Sequence, residues 1–283
     1  MIKNLFSCRQ TYSGRIMKPL DDNEIELAST ELFKARRDFQ RLSLESSTSR
    51  PLTVKDAYRV QAKLVNKLLN AEQTTKIGYK IGATNPAARE MLGANEQFSG
   101  NLLASYCYPS SKTIYAKDYH VIVLEPEIAI KLNKDLGPIN RLYTPETAAK
   151  SVGAVAPAIE IVTSPFPVWN EAGIYNIIAD NAANGAWIYG DFIEYSDDLD
   201  LKKQNVSLTI NGTIQRKGSG SNVDGGPLIV LAWLANFLLD NGQMLKAGDT
   251  ITTGSTTLPF SADSQQHVIA DFGILGECIL SIK

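Results

Sequence analysis

The chain has 283 residues, of which 44% are hydrophobic and 20% are charged, and its formal net charge is -2. This composition supports a substantial core and argues against wholesale disorder. The near-neutral charge gives no general electrostatic case for binding nucleic acid or an anionic membrane. The three cysteines, Cys8, Cys107 and Cys278, are widely spaced without a CxxC pair, so neither a disulfide framework nor a zinc site is indicated.

The expected location is the cytoplasm, because a reducing compartment is the simplest explanation of this cysteine usage. Residues 1–16 have no apolar run long enough for a secretory signal. The strongest apolar run, 227–239, is too short to span a bilayer and contains Asn236. We therefore predict a soluble protein with no membrane partner.

The first hundred residues have mostly helical patterns. Residues 1–20 are predicted to be a poorly ordered extension, and apolar residues at helical spacing predict a helix over 22–44. The segment 46–51 breaks this pattern, and Thr53 begins a second helix in a capping-box arrangement.

A short strand is predicted at 76–84, and Asn85 and Pro86 begin another helix that Gly93 ends. Residues 21–100 are therefore predicted to form a small, mostly helical N-terminal lobe.

The central feature of the chain is the stretch 121–132, whose even-numbered positions are almost all apolar. This alternation predicts a strand with one apolar face and places Glu125 and Glu127 side by side on the other face. Two neighbouring carboxylates repel each other, and a divalent cation such as Mg²⁺ or Mn²⁺ would relieve that repulsion. A solvated outer face explains the same pair, and the pair alone favours that interpretation. Pro126 removes a ladder donor and predicts an edge strand or a bulge.

Strands predominate after residue 100, so 101–283 are predicted to form a second, larger domain. An apolar strand at 155–162 carries Glu160, and a polar loop follows at 180–185. Asn211-Gly212 predicts a type I′ hairpin, and the almost wholly apolar segment that begins at Pro227 predicts a buried helix. Three strands are predicted at the end of the chain, around 250–253, 268–272 and 277–282. The pattern predicts an α+β fold with a mixed or antiparallel sheet.

Seven short stretches occur in an order and spacing that resembles one family, the fumarylacetoacetate hydrolase superfamily, in its 2-keto-4-pentenoate hydratase and 4-oxalocrotonate decarboxylase branch. The resemblance runs from about residue 50 to the C-terminus. The stretches are Gly78–Thr84, Glu125–Glu127, Pro157–Glu160, Ala179–Ala182, Gly218–Gly220, Trp233–Asn236, and Leu245–Asp249 with Thr253–Ser255.

This resemblance implies a rolled mixed β-sheet around one buried helix, with one divalent metal ion in the active site. By position, Glu125, Glu127 and Glu160 would be the metal ligands, and Mg²⁺ or Mn²⁺ the ion. Lys80 matches the active-site lysine of the family and would pair with a substrate carboxylate or move a proton. Asp180 and Asn181 would line the site or brace the third ligand. Ser219, Gly220 and Ser255 would contact the substrate.

The chain departs from the family pattern at two places. Phe98 stands where hydratases commonly have an acidic residue, and Gly226 stands where many have a small polar residue or histidine. Neither histidine, His120 or His267, falls on a family motif, so a structural or surface role is expected for both. The proton-transfer groups are thus altered, incomplete or supplied by Lys80 and water.

The implied substrate is a short 2-oxo acid, or its dienol, with unsaturation beyond the ketone. The favoured function is a hydratase, a lyase that adds water to a 2-hydroxy-2,4-dienoate or 2-oxo-4-enoate and gives a 4-hydroxy-2-oxo acid. Alternatives are a 4-oxalocrotonate-type decarboxylase, a C–C bond hydrolase, or a catalytically impaired protein that binds an oxo acid without turnover. The resemblance also implies a homo-oligomer.

Overall fold

The computed structural model describes residues 18–43 and 50–283. Two groups of elements make up the described chain, helices at the N-terminal end and strands after it. The α-helices are α1 (Asp22–Arg37), α2 (Val54–Glu72), α3 (Pro86–Leu92), α4 (Pro145–Ala149), α5 (Ile174–Ala179) and α6 (Pro227–Asp240). The strands are β1 (Lys76–Gly82), β2 (Phe98–Leu103), β3 (Cys107–Pro109), β4 (Lys112–Ile114), β5 (Val123–Leu132), β6 (Val152–Val162), β7 (Asn184–Tyr189), β8 (Ile193–Glu194), β9 (Asn205–Ile210), β10 (Thr213–Ser219), β11 (Thr250–Ser255), β12 (Phe260–Ser261), β13 (Gln266–Asp271) and β14 (Glu277–Ile282).

The strands form two mixed sheets. The larger sheet has the order β2-β1-β11-β5-β6-β7-β3, with β12 and β8 pairing at the sides of β5 and β6. The smaller sheet has the order β10-β9-β13-β14-β4. Three pairs are parallel, β1 with β11, β3 with β7 and β4 with β14, and the other pairs are antiparallel.

Helix α6 lies in the core that the two sheets share, which confirms the predicted α+β fold with a mixed sheet around a buried helix. Val230, Leu231 and Leu234 of this helix are fully buried against strand residues such as Ile128 and Leu208. Together with the turn before it, α6 makes a helical stretch, Gly220–Asp240, that is long and apolar enough to cross a membrane. Half of that stretch's most apolar window is buried inside the fold, so core packing accounts for its apolar character.

The N-terminal helices pack on a second apolar core. Leu32 of α1 and Leu64 of α2 are buried in it together with Phe98, Val123 and Ile177. Strands β1 and β2, the second of which ends at Leu103, belong to the larger sheet, since they pair with each other and β1 lies parallel beside β11. The predicted domain boundary near residue 100 stays a prediction. The predicted extension, residues 1–20, lies outside the described chain except for its last three residues.

Helix α1 ends earlier than the periodicity predicts, at Arg37 instead of residue 44. The backbone N–H of Asp38 donates to Lys34, and Phe39 then takes a left-handed conformation with φ 53°. A left-handed residue ends an α-helix because the helical hydrogen-bond pattern cannot continue through it. Leu42 next donates its N–H to the carbonyl of Pro165, which follows β6. A contact with a distant part of the chain therefore redirects this segment.

Strand β5 is central in its sheet, so the prediction of an edge strand at Pro126 is wrong. The alternative prediction, a bulge, describes the pairing better, because the β11 register shifts between Thr252 and Ser255 beside this position. The carbonyl of Pro126 still accepts hydrogen bonds from the N–H and the hydroxyl of Thr256, at 2.8 Å and 2.7 Å. The irregular partner strand thus accommodates the missing proline donor.

The predicted hairpin at Asn211-Gly212 is confirmed. Both residues have positive φ, 48° and 80°, as a type I′ turn requires. The turn joins β9 to β10 with Ile210 opposite Thr213.

Candidate metal centre and active site

Two neighbouring strands bring the three glutamates together. Strands β5 and β6 are antiparallel, and their register sets Glu125 directly opposite Glu160 and Glu127 opposite Ala158. Directly opposed residues point to the same face of a sheet, as do alternate residues along one strand. One carboxylate oxygen from each glutamate therefore comes within 4.8 Å of one from each of the other two.

This face of the sheet is buried, so the solvated-face interpretation of the glutamate pair is wrong. Glu127 and Glu160 are fully buried, and Glu125 is partly buried. Burial raises the pKa of Glu125 to about 7, and the nearby Glu160 acts in the same direction. Burial, together with Glu160 and Glu125, also raises the pKa of Glu127 well above its usual value. Three carboxylates in one buried place favour a cation among them.

Each of the two buried glutamates has one oxygen held by the protein and one oxygen without a partner. Oε2 of Glu127 accepts from the Thr252 hydroxyl at 2.5 Å and from the Gly254 N–H at 2.8 Å. Oε1 of Glu160 accepts from the Asn184 amide at 3.0 Å. Within the described chain, Glu127 Oε1 and Glu160 Oε2 are buried and have no hydrogen-bond partner. Buried acceptors without a partner, in carboxylates that lie close together, are what an oxygen-liking divalent cation requires, so these residues fit such an ion.

Lys80, on β1, is the cation that the chain itself supplies. Its ammonium lies 3.0 Å from Glu160 Oε1 and donates to the carbonyl of Ala182 at 2.9 Å. Burial lowers the pKa of Lys80, but the three glutamates outweigh that effect and raise it. One ammonium balances at most one of three carboxylates, so the cluster retains an excess of negative charge when all three are ionised.

The loop between α5 and β7 supplies the partners of Lys80 and Glu160, and Asp180 anchors it. Arg36 of α1 donates to Asp180 Oδ1 at 2.5 Å, to the Asp180 carbonyl at 2.8 Å and to the Asn184 carbonyl at 2.9 Å. Ser164 donates to Asp180 Oδ2 at 2.9 Å. Both side-chain oxygens of Asp180 are thus engaged by other residues of the protein, and its predicted role in substrate binding stays a prediction.

The middle of this loop has an uncommon backbone. Asn181, Ala182 and Ala183 have consecutive positive φ angles of 49°, 58° and 55°. Such conformations cost on the order of 1–2 kcal/mol per residue, so other contacts must hold them. The Asn181 side chain provides two, because its Oδ1 accepts from the Asn101 N–H at 2.8 Å and its Nδ2 donates to the Asn101 carbonyl at 2.9 Å. The loop is therefore fixed by β2 as well as by α1.

A cavity of about 150 Å³ opens above Glu125 and Lys80. Two further predicted site residues, Phe98 and Ser255, line it. Its other walls come largely from α3, the segment around Trp169, α5 and the loop after β11. The representative apolar residues there are Met91, Leu92, Trp169, Ile177 and Leu258.

Ser219 and Gly220 do not reach this cavity. The Ser219 N–H donates to the Thr256 carbonyl at 3.1 Å, and the Ser219 hydroxyl lies 2.7 Å from that of Ser221. A side chain at Gly220 would meet the Leu201 carbonyl at 1.9 Å, so close backbone packing explains this glycine. These two residues connect β10 to the loop that follows β11.

The histidines and Gly226 also lie away from the cavity lining. His120 lies beside the Phe39 ring and bonds the Gln40 carbonyl, while His267 lies 3.3 Å from the Ser281 hydroxyl. Gly226 precedes α6 and has φ 151°. These contacts agree with the structural roles expected for the histidines.

Sequence reasoning missed four residues that hold the site in place. Thr252 and Gly254 hold Glu127, Asn184 holds Glu160, and Arg36 holds the loop. Asn184 belongs to the polar loop already noted at 180–185, so the polar character of that loop could have identified it. Arg36 gave none, because a basic residue near the end of a helix usually faces solvent.

Comparisons of this chain with family models and with known proteins indicate the same family. The family described as fumarylacetoacetate (FAA) hydrolase C-terminal matches residues 69–278. A 2-keto-4-pentenoate hydratase of Paraburkholderia phymatum is 32% identical over 240 residues, which are 83% of this chain and 88% of the relative. A 2-hydroxyhexa-2,4-dienoate hydratase of Comamonas testosteroni is 33% identical over 238 residues, with the same shares of 83% and 88%.

Among solved structures, the fold is similar to that of 4-oxalocrotonate decarboxylase from Pseudomonas putida G7 complexed with magnesium and adipate. The TM-score is 0.86 at 22% identity, and the match covers 94% of this chain and 100% of that one. At this identity the likeness establishes the fold alone. The family match and the two relatives together identify the chain, which belongs to the fumarylacetoacetate (FAA) hydrolase C-terminal family.

Proposed function

We propose that this protein is a divalent-metal-dependent hydratase, a hydro-lyase that adds water to a 2-hydroxy-2,4-dienoate, or its 2-oxo-4-enoate tautomer, to give a 4-hydroxy-2-oxo acid. One observation carries the proposal: three carboxylates, two of them with an unpartnered buried oxygen, lie close together, and one of the three, Glu125, lines a largely apolar cavity with Lys80. The relatives named hydratases, at 32% and 33% identity, support the same reaction class.

Glu125, Glu127 and Glu160 would hold the cation, and an all-carboxylate set favours Mg²⁺ or Mn²⁺. When bound, such an ion supplies a Lewis acid for the 2-oxygen of the substrate. Thr252 and Gly254 hold one oxygen of Glu127, and Asn184 holds one oxygen of Glu160, which leaves the other oxygen of each glutamate for a ligand. The protein therefore preorganises Glu127 and Glu160 through hydrogen bonds to one oxygen of each carboxylate and leaves the other oxygen for the cation.

Lys80 would bind the substrate carboxylate. An ammonium has three N–H donors, and two of these are directed to Glu160 and to the Ala182 carbonyl. The third is available to a ligand in the cavity that Lys80 lines. Because two fixed acceptors orient the ammonium, it can hold an anion in one position relative to the glutamates.

Proton transfer inside the cavity has few candidate groups. Among the described residues that line it, Lys80 and Glu125 are the titratable side chains, and no histidine is present. Any proton that a lining side chain moves in this cavity therefore passes through one of these two. Phe98, Trp169 and Ile177 give the cavity apolar walls, which limit the room for water around the reactive dienol.

The alternatives are less well supported by the lining. A C–C bond hydrolase would want a water-activating base such as histidine, which the described lining lacks. A decarboxylase acting on a diacid would want a cationic partner for its second carboxylate, and the described lining has no cationic side chain besides Lys80. A protein that binds an oxo acid without turnover would have the same site, so only an activity measurement distinguishes it from a hydratase. A homo-oligomer and a cytoplasmic location stay predictions.

The test is the absorbance of 2-hydroxypenta-2,4-dienoate, with Mg²⁺, with Mn²⁺ and with a chelator. We expect metal-dependent loss of the conjugated absorbance and formation of 4-hydroxy-2-oxopentanoate, identified by mass. Glu160→Gln should abolish this activity, while Glu194→Gln, at an exposed position of β8, should preserve it. Tight metal binding without any loss of absorbance would favour the binding protein, and release of carbon dioxide from an oxalocrotonate would favour the decarboxylase.

A further inference from the structure

The two ends of the cavity differ in chemistry. Lys80 is buried and Glu125 is partly buried, so they form the inner end, or base, of the cavity, whereas Met91 and Leu258 form its outer wall. Met91 is 45% exposed and Leu258 is 70% exposed, so these side chains stand at the mouth. A substrate whose carboxylate and 2-oxygen lie at the base must direct the other end of its carbon chain toward this apolar wall.

The outer wall has no cation to offer. Among the described lining residues, Lys80 is the only one with a positive side chain, and its ammonium is held at the base by Glu160 and Ala182. A second carboxylate at the outer end would exchange part of its hydration for apolar side chains without gaining a charged partner, which is unfavourable.

Arg89 is the basic residue of helix α3, which forms part of this wall, and it is already engaged. Its Nη1 and Nη2 donate to the two carboxylate oxygens of Asp224 at 2.7 Å and 2.9 Å, and Nη1 also donates to the Ala83 carbonyl at 2.9 Å. Gln97 bonds the same Asp224 carboxylate at 2.5 Å. Turning Arg89 into the cavity would break this bidentate pair and leave Asp224 without its cation, so Arg89 cannot serve a second substrate carboxylate.

We propose that this site selects 2-oxo acids that have a single carboxylate and an apolar outer end, and that it disfavours the corresponding diacids. The inference rests on the proposed function for the orientation of the substrate, with the carboxylate at the base. It goes beyond that function because hydration of a dienoate does not itself depend on what the outer end carries.

The test compares two non-reactive ligands on the Mg²⁺-loaded protein, 2-oxoheptanoate and 2-oxoheptanedioate, by titration calorimetry. They differ only in a methyl or a carboxylate at the outer end. We expect the monoacid to bind at least about tenfold more tightly, because the outer carboxylate of the diacid loses part of its hydration without gaining a charged partner. A dissociation constant for the diacid within threefold of that for the monoacid would overturn the inference, whether or not the protein turns over any dienoate.

A second variant reverses the selection. Met91→Arg places a guanidinium at the mouth and should tighten binding of the diacid at least about tenfold while weakening the monoacid little. Met91→Gln, which adds polarity without charge, and Leu27→Arg, at an exposed position of α1, are the matched controls and should not tighten it. Equal effects of Met91→Arg and Leu27→Arg would count against the inference.

Turnover separates the two proposals. If 2-hydroxyhepta-2,4-dienoate is hydrated and 2-hydroxyhepta-2,4-dienedioate is at least about tenfold poorer in kcat/KM, both stand. If both are hydrated equally, the proposed function stands and the selection for monoacids is wrong. If neither is hydrated but the calorimetric preference holds, the selection stands and the hydratase function is wrong.

Discussion

Two clusters of buried charge lie next to each other in this protein and differ in how completely they are satisfied. In the first cluster, Arg36 and Ser164 engage both carboxylate oxygens and, through Arg36, the carbonyl of Asp180. In the second, Glu127 and Glu160 each keep one buried oxygen without a partner in the described chain. The loop 180–184 joins the clusters, because Asn184 contacts both Arg36 and Glu160.

The difference separates a structural role from a binding role. A buried charge whose partners are all supplied by the chain fixes the backbone around it. A buried carboxylate with one oxygen held and the other left over is costly for the folded chain alone, so it marks a place where a ligand contributes the missing contact. The first cluster should therefore control stability, and the second should control metal affinity.

The largest expected effect is on metal binding, from Glu127→Gln. The amide can still accept from Thr252 and Gly254, but it removes the negative charge from the unpartnered oxygen. We expect the affinity for Mn²⁺ to fall by more than about 100-fold. This exceeds the decrease that is usual when a residue hydrogen-bonded to a metal ligand is removed. Thermal melting in a chelator should not fall, because one of three repelling carboxylates is gone.

Titration calorimetry and melting in a chelator measure these two quantities. Glu277→Gln, on an exposed end of β14, is the matched control. An unchanged Mn²⁺ affinity in Glu127→Gln would show that the ligand assignment is wrong.

The next effect is on catalysis, from Lys80→Met, which keeps the length of the side chain and removes its charge. We expect kcat for dienoate hydration to fall by about 10²–10⁴-fold, because the substrate loses its charged donor in the cavity. The melting temperature in a chelator should also fall, since the glutamates lose their cation, and added Mg²⁺ should restore part of it. Lys134→Met, at an exposed position, is the control, and a kcat within threefold of the parent would contradict the role of Lys80.

The satisfied cluster is tested by Arg36→Met. Removing one partner leaves Asp180 buried and uncompensated, so we expect the free energy of unfolding in urea to fall by about 3–5 kcal/mol. Asp180→Asn in the same chain should recover part of the loss, because the stranded charge is removed. Arg37→Met, at the neighbouring exposed position, should change the free energy by less than about 0.5 kcal/mol.

The comparison would fail here if Arg36→Met weakened Mn²⁺ binding as strongly as Glu127→Gln but left the urea midpoint unchanged. That result would place Arg36 with the binding groups and not with the structural ones.

The smallest expected effect comes from Thr252→Val, which removes one hydroxyl that holds Glu127 without changing the size of the side chain. The affinity for Mn²⁺ should fall by about 10–100-fold, the range typical of a group that orients a ligand. Thr253→Val is a close control, because its hydroxyl donates to the Ile128 carbonyl and not to a glutamate. Equal losses of affinity in both variants would mean that strand β11, and not the hydroxyl of Thr252, sets the ligand position.

Local pattern was enough for several of these features. Alternation along 121–132 predicted that Glu125 and Glu127 share a face, and Asn211-Gly212 predicted its hairpin because only a few residues tolerate those φ angles. The all-round apolar segment at Pro227 predicted a buried helix for the same local reason.

Features decided by distant contacts were not predictable in this way. The end of α1 depends on Leu42 meeting the Pro165 carbonyl, and the loop anchor depends on Arg36 meeting Asp180, 144 positions away. The partner strand of β5 likewise decides whether Pro126 is central or at an edge. Spacing within one segment carries no information about which remote backbone group arrives beside it.

The opposition of Glu125 and Glu160 has a consequence for how the strands find each other. If β6 paired with β5 one residue out of register, Glu160 would point to the opposite face of the sheet. It would then lie among the apolar residues that pack around Ile159, Ile161 and α6. A lone carboxylate there would lack both Lys80 and Asn184, and such a misaligned chain would be several kcal/mol less stable. The glutamates of the candidate metal site thus also disfavour incorrect pairing of β5 and β6 during folding.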